Sequence, residues 1–136
     1  MAALTQDRNT PSRSGMRREP PAKAGAKIFA GAMVALDASG WAVPATTATT
    51  LKVLGRAERA VDNTAGANGD LTVPVGADIY RFNNSASADA IALTDVGATC
   101  YAVDDNTVAK TNGTNTRSAA GTVFDVDSLG VWVKFS

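Results

Sequence analysis

The sequence predicts an all-β protein, a jelly-roll-like sandwich or squat β-barrel of about eight to ten short strands with an extended N-terminal arm. Three observations lead there. From Ile28 onward, short alternating or continuous apolar runs are separated by clusters of Asp, Asn, Ser and Gly. No segment carries an apolar period of 3.6 over three helical turns. Two turn signatures also repeat between apolar runs: Leu36-Asp37-Ala38-Ser39-Gly40 and Val126-Asp127-Ser128-Leu129-Gly130.

Residues 1–27 contain only Met1, Leu4 and Met16 as large apolar residues, with Pro11, Pro20, Pro21 and several arginines. They cannot pack alone and read as a flexible basic arm ahead of a single all-β domain, 28–136. Ile28–Leu36 reads as a strand turned back into Trp41-Ala42-Val43 by Asp37 and Gly40. Asp opens a type I turn and Gly accepts the left-handed conformation after it. Leu51–Val61 places Leu51, Val53, Gly55 and Ala57 on one face and Lys52, Arg56 and Glu58 on the other, a half-buried strand. After the glycine-rich loop 62–70, Leu71, Val73 and Val75 share one face, and Pro74 puts this strand at an edge or at its own start. Asp78–Phe82 is a further strand. Leu93–Gly97 suits one helical turn capped by Thr94. The runs "CYAV" and "TVAK" form a hairpin across Asp104, Asp105 and Asn106, and Val123–Phe135 repeats the first hairpin around Asp127 and Gly130.

At 136 residues the chain suits one domain, but 26 of its residues are alanine and only eight are aromatic, so the core is thin for its length. A surface supplied by a partner or a second copy would add to such a core's stability by mass action. Formal net charge is zero, yet residues 1–27 hold six basic and two acidic side chains, leaving seven basic and eleven acidic in the remainder. A cationic segment thus precedes an anionic body. One cysteine excludes an internal disulfide, and the absence of histidine removes the usual zinc ligand and neutral-pH base. No apolar run suits a membrane span, and the N-terminus lacks the apolar stretch of a secretory signal, so manufacture in a cytoplasm is expected.

The densest chemistry, Cys100, Tyr101, Asp104 and Asp105, reads as structure. A calcium loop needs oxygen ligands at alternate positions, and Val108, Ala109 and Lys110 occupy the places where they would fall. Cys100 has no histidine to activate it and reads as a small buried hydrophobe. Most acids sit at turns, and "AGANGD" lacks the Lys-Ser and helix of a phosphate loop. The arm's charges are dispersed without interleaved aromatics, which argues against nucleic acid. No enzyme activity, metal or cofactor is expected.

The motifs "VALDASG", "GRAERAVDNT", "CYAVDDNTVAKT" and "GVWVKF", with the opening "ALTQDRNTP", resemble the capsid cement (head decoration) proteins of tailed bacteriophages over most of Ala24–Phe135. The resemblance implies a small all-β virion protein on the outer capsid surface that reinforces contacts between major capsid subunits. Homo-oligomers, dimers or trimers, on symmetry axes are implied with it. Under this reading Arg8, Arg13, Arg17, Arg18, Lys23 and Lys27 are candidate contacts with the major capsid protein, and removal of residues 1–25 is expected to leave a folded body. Trp41 and Trp132 are candidates for self-association, against core packing as the alternative. A carbohydrate- or receptor-binding module of a fibre or tail is the rival reading.

Overall fold

A turn that hands one apolar strand back to another explains half of the molecule. In the computed structural model, which describes residues 2–13 and 15–135, Asp127 Oδ1 accepts the N–H groups of Leu129 and Gly130 at 2.8 and 3.1 Å. The chain there reverses between two long antiparallel strands, 119–127 and 130–134. Twelve strands are present among the described residues. In order they are β1 (Arg17–Arg18), β2 (Lys27–Ile28), β3 (Met33–Leu36), β4 (Ala42–Pro44), β5 (Lys52–Ala57) and β6 (Val61–Asp62). There follow β7 (Val75–Gly76), β8 (Ile79–Asn84), β9 (Thr99–Ala102), β10 (Thr107–Ala109), β11 (Ala119–Asp127) and β12 (Gly130–Lys134). The only helical pieces described are 3₁₀ turns at Ser87–Asp89 and Leu93–Asp95, so the all-β class holds. The strands beyond the eight to ten expected are two-residue pairings, too short to leave an alternating pattern in sequence.

The C-terminal half is a closed five-stranded barrel in the order β10-β8-β12-β11-β9. All its pairings are antiparallel except β8 with β10. On β12, Val131 and Val133 point inward and are fully buried, while Lys134 is exposed, as the two-residue period requires. The barrel's interior takes Cys100, Ala102, Val108, Ala120 and Val123, with Phe82 and Phe135 edge to face at 5.9 Å. Register shifts at Ala119/Gly121 and Val123/Asp125 bend β11 so that closure is possible.

The N-terminal half is a sheet in the order β1-β7-β5-β3-β4, beside a two-stranded ribbon of β2 and β6. Its central strands are buried on both faces. Met33 and Ala35 join the barrel's core, whereas Val34 packs with Ile28, Leu54, Val61, Val73 and Val75 in a second core under the ribbon. The expectation of a half-buried β5 is corrected accordingly, because Val53 meets the first core and Leu54 the second. Ile28–Leu36 is likewise not one strand: a turn at Ala30-Gly31 splits it, sending β2 to β6 and β3 to β4 and β5. Leu71 is exposed, only Val75–Gly76 joins the ladder, and Pro74 stands just before a strand that lies between β1 and β5. At Leu93–Asp95 the Asp95 carboxylate, not Thr94, caps the turn by accepting the Ala92 N–H at 2.8 Å.

The boundary at residue 27 also moves. Ala77 N–H donates to the Met16 carbonyl, β1 pairs with β7, Val73 N–H donates to the Pro20 carbonyl, and Ala22 is fully buried. Residues 16–27 therefore belong to the body, and the arm is residues 2–13, exposed at every position. Sequence reasoning missed this because backbone pairing needs no apolar side chains.

Candidate functional site

The six cations expected to meet a partner fall into three groups. Arg8 and Arg13 lie on the exposed arm, whose hydrogen bonding among the described residues is internal, from Thr10 N–H to the Arg8 carbonyl. Arg17 and Arg18 form β1, an edge strand. Lys23 and Lys27 are committed to the body: Lys23 Nζ pairs with Asp37 at 3.2 Å, and Lys27 Nζ stands 5.5 Å from the Phe29 ring centre. Each therefore already has a neighbour in its own chain, as Arg17 has in Glu58.

Glu58 fastens the arm's root. It follows β5 and receives Arg56 at 3.1 Å, Arg17 at 3.8 Å and the Tyr80 hydroxyl at 3.4 Å, while the Arg56 guanidinium lies over the Tyr80 ring at 4.0 Å. Burial, and then the Glu58 carboxylate, raise the Tyr80 phenol above its usual value of 10.0, so it remains a donor at neutral pH. Gly76 lies beneath this cluster, where a Cβ would strike the Glu58 carboxylate and the Tyr80 hydroxyl. Beside it runs a groove lined by Arg13, Arg17, Arg18, Glu19, Pro74 and Val75, three guanidinium groups against one carboxylate.

Of the residues expected in turns, Asp37 Oδ1 accepts Ser39 N–H at 2.9 Å and Trp41 N–H at 3.0 Å, and Gly40 takes φ +88°. Gly130 sits at φ +153° for a further reason: a Cβ there would run into the Phe82 carbonyl oxygen. Asp104 Oδ1 accepts the Asn106 N–H at 2.8 Å, turning β9 into β10. The Asp105 carbonyl receives Met33 N–H at 2.8 Å, and the Asn106 carbonyl receives Asn83 N–H at 2.9 Å. This turn therefore ties the barrel to the sheet. Burial and the neighbouring Asp104 charge push the Asp105 carboxyl up, and neither carboxylate has a cation within ion-pair distance among the described residues.

Cys100 is fully buried, and burial pushes its thiol up to about 11, which keeps it protonated at neutral pH. Among the described residues, no group of three or more Cys, Asp or Glu side chains could hold a metal ion, and no helix is long and apolar enough to cross a membrane. Trp132 is half-buried, its indole N–H donating to Asp127 at 2.9 Å with Arg81 over the ring at 5.4 Å. Trp41 is also half-buried; the large exposed apolar side chains of the body are instead Met16, Phe29, Leu71, Leu93, Val96, Phe124 and Leu129. Comparison with known protein families, curated proteins and solved structures finds no match to this chain.

Proposed function

We propose that the chain is a cement subunit that binds the outside of a tailed-phage head and reinforces contacts between major capsid subunits. The observation that carries this reading is the form of the N-terminal segment. Residues 2–13 are an exposed strap bearing Arg8 and Arg13, while residues 16–22 are bonded into the body. A strap held at one end loses less freedom on docking than a free peptide, and its arginines suit charge-assisted hydrogen bonds to carboxylates. It resembles in this respect the segments that order on binding and cover extended surface. The family resemblance of the motifs points the same way.

The mechanism follows from linkage. A subunit that prefers the expanded shell stabilises that state by its difference in affinity for the two, and many bound copies sum small contributions. The test is addition of the purified chain to expanded tailed-phage heads that lack their cement subunit, with occupancy and resistance to heat as readouts. Saturable binding that raises the heat resistance of the heads is expected. Absence of binding to such heads would overturn the reading.

A further inference from the structure

An asparagine followed by glycine can lose ammonia without a catalyst, because glycine has no Cβ to hinder attack of its backbone nitrogen on the asparagine side chain. The chain holds two such pairs, Asn68-Gly69 and Asn112-Gly113. Asn68 and Gly69 are exposed whereas Asn112 and Gly113 are half-buried, so exposure alone favours the first pair. Hydrogen bonding favours the second. Gly69 N–H donates to the Ala22 carbonyl at 2.9 Å, and Asn68 Oδ1 accepts the Ala24 N–H at 2.7 Å. Both partners lie in the segment that Ala22 N–H fixes to the Leu71 carbonyl and Lys23 N–H to the Ala42 carbonyl, and Gly69 itself faces the Trp41 ring and Pro21. Freeing the Gly69 nitrogen therefore means parting elements distant along the chain.

Around Gly113 the bonds are local. Its N–H donates to the Thr111 hydroxyl at 3.3 Å, Asn112 Oδ1 accepts the Asn115 N–H at 3.2 Å, and Asn112 Nδ2 donates to Asn115 Oδ1 at 3.0 Å. Gly113, Thr114 and Asn115 run consecutively through the left-handed region at φ +62°, +59° and +62°, which crowds the Cβ of the last two. A loop held by its own bonds against that strain opens without parting the body. Both side-chain carbonyls accept a backbone N–H, so it is the nucleophile that separates the two pairs. The Arg117 guanidinium, paired with Asp89 at 3.4 Å, lies beside Gly113, where positive charge favours loss of the amide proton. We infer that Asn112-Gly113 is the site of spontaneous deamidation in the folded chain, and that the bonds to Ala22 and Ala24 withhold Asn68-Gly69. Hydroxide removes the Gly113 amide proton, the nitrogen bonds to Asn112 Cγ, and the Cγ–Nδ2 bond breaks as ammonia leaves with a proton from water. A second water opens the cyclic imide at either carbonyl, giving aspartate or isoaspartate, so each event consumes one water and releases one ammonia. The product places a new carboxylate in the loop whose Thr111 and Arg117 hold Asp89. The reaction needs only water, so it proceeds whether or not the chain binds a head.

The test holds the full chain in warm, mildly alkaline buffer, folded or unfolded in urea, and cuts samples briefly with trypsin. Cleavage after Lys110 and Arg117 releases residues 111–117, and cleavage after Arg59 and Arg81 releases residues 60–81, so fragment mass spectra locate each exchange of NH₂ for OH. In the folded chain Asn112 should convert at least about tenfold faster than Asn68, and in urea the two rates should come within about threefold of each other. Asn112→Gln should remove the first acidic species that ion exchange resolves from the aged folded chain. Equal rates in the folded chain, or faster conversion at Asn68, would overturn the inference. So would an intact Asn112 in folded chain after the unfolded chain has converted, or an unchanged acidic species in Asn112→Gln.

Discussion

Met33→Ala tests whether sheet and barrel share one core. The Met33 side chain is fully buried among Phe82, Val108, Val131 and Phe135 of the barrel region, although its strand belongs to the N-terminal sheet. Its N–H also donates to the Asp105 carbonyl, a backbone bond that the substitution preserves. Truncating a buried methionine to alanine costs about 2–5 kcal/mol, and a site enclosed from both halves has little scope to collapse, so about 3 kcal/mol is expected. An unfolding entropy of about 2.1 cal/mol/K per residue over 136 residues makes this a fall in Tm of about 10 °C. Trp41 lies beside Gly69 and Pro21 on the sheet side, and Trp132 lies on the barrel, so single-tryptophan versions made with Trp41→Phe or Trp132→Phe report each half by fluorescence. Both probes should shift together. A loss below about 1 kcal/mol, or two separated transitions, would refute a common core.

Two further outcomes follow from the turns. The Trp132 indole N–H and the Leu129 N–H hold Asp127 below its ordinary 3.8, so Asp127 contributes stability above its unfolded pKa that is lost as pH falls through the folded value. Asp127→Asn should therefore lower Tm at neutral pH and converge with the parent as pH falls through the folded value; a penalty that grows in acid would contradict this. Asp105, raised by burial and by Asp104, has the opposite sign, its contribution being lost as pH rises through the folded value. Asp105→Asn should raise Tm at neutral pH and not in acid, as thermal melts at the two pH values will show. Gly130→Ala places a Cβ against the Phe82 carbonyl oxygen and should cost about 2–4 kcal/mol in urea unfolding; an unchanged midpoint would refute the stated role of that glycine.

Elements held by side-chain alternation or by Asp-Gly turns were legible in the sequence. The β3–β4 and β11–β12 hairpins and the β9–β10 turn all carry an aspartate whose side chain binds the backbone it reverses. What sequence did not disclose was set by partners distant along the chain. The burial of β5 on both faces depends on a second core assembled from Ile28, Val61, Val73 and Val75, and the inclusion of residues 16–22 rests on backbone bonds to residues 71–77. The candidate surface was legible as an excess of arginine, but not its division. Lys23 and Lys27 are neutralised or shielded by Asp37 and Phe29, whose proximity only the fold creates. The two tryptophans attracted attention by residue type, while Phe29 and Phe124, which stand inside apolar runs in sequence, are the exposed rings.

The anchored strap is tested most directly by the affinity of expanded heads for the full chain beside that for a chain beginning at Gly15, which retains β1 and the backbone bonds from Met16, Pro20 and Ala22 to residues 71–77. Deletion of residues 1–25 would not serve, because it removes β1 and the buried Ala22 along with the arm. The account predicts two proteins with the same melting temperature and an affinity for heads at least about tenfold weaker for the shorter one, the difference shrinking as salt rises. Equal affinity at every salt concentration would contradict it.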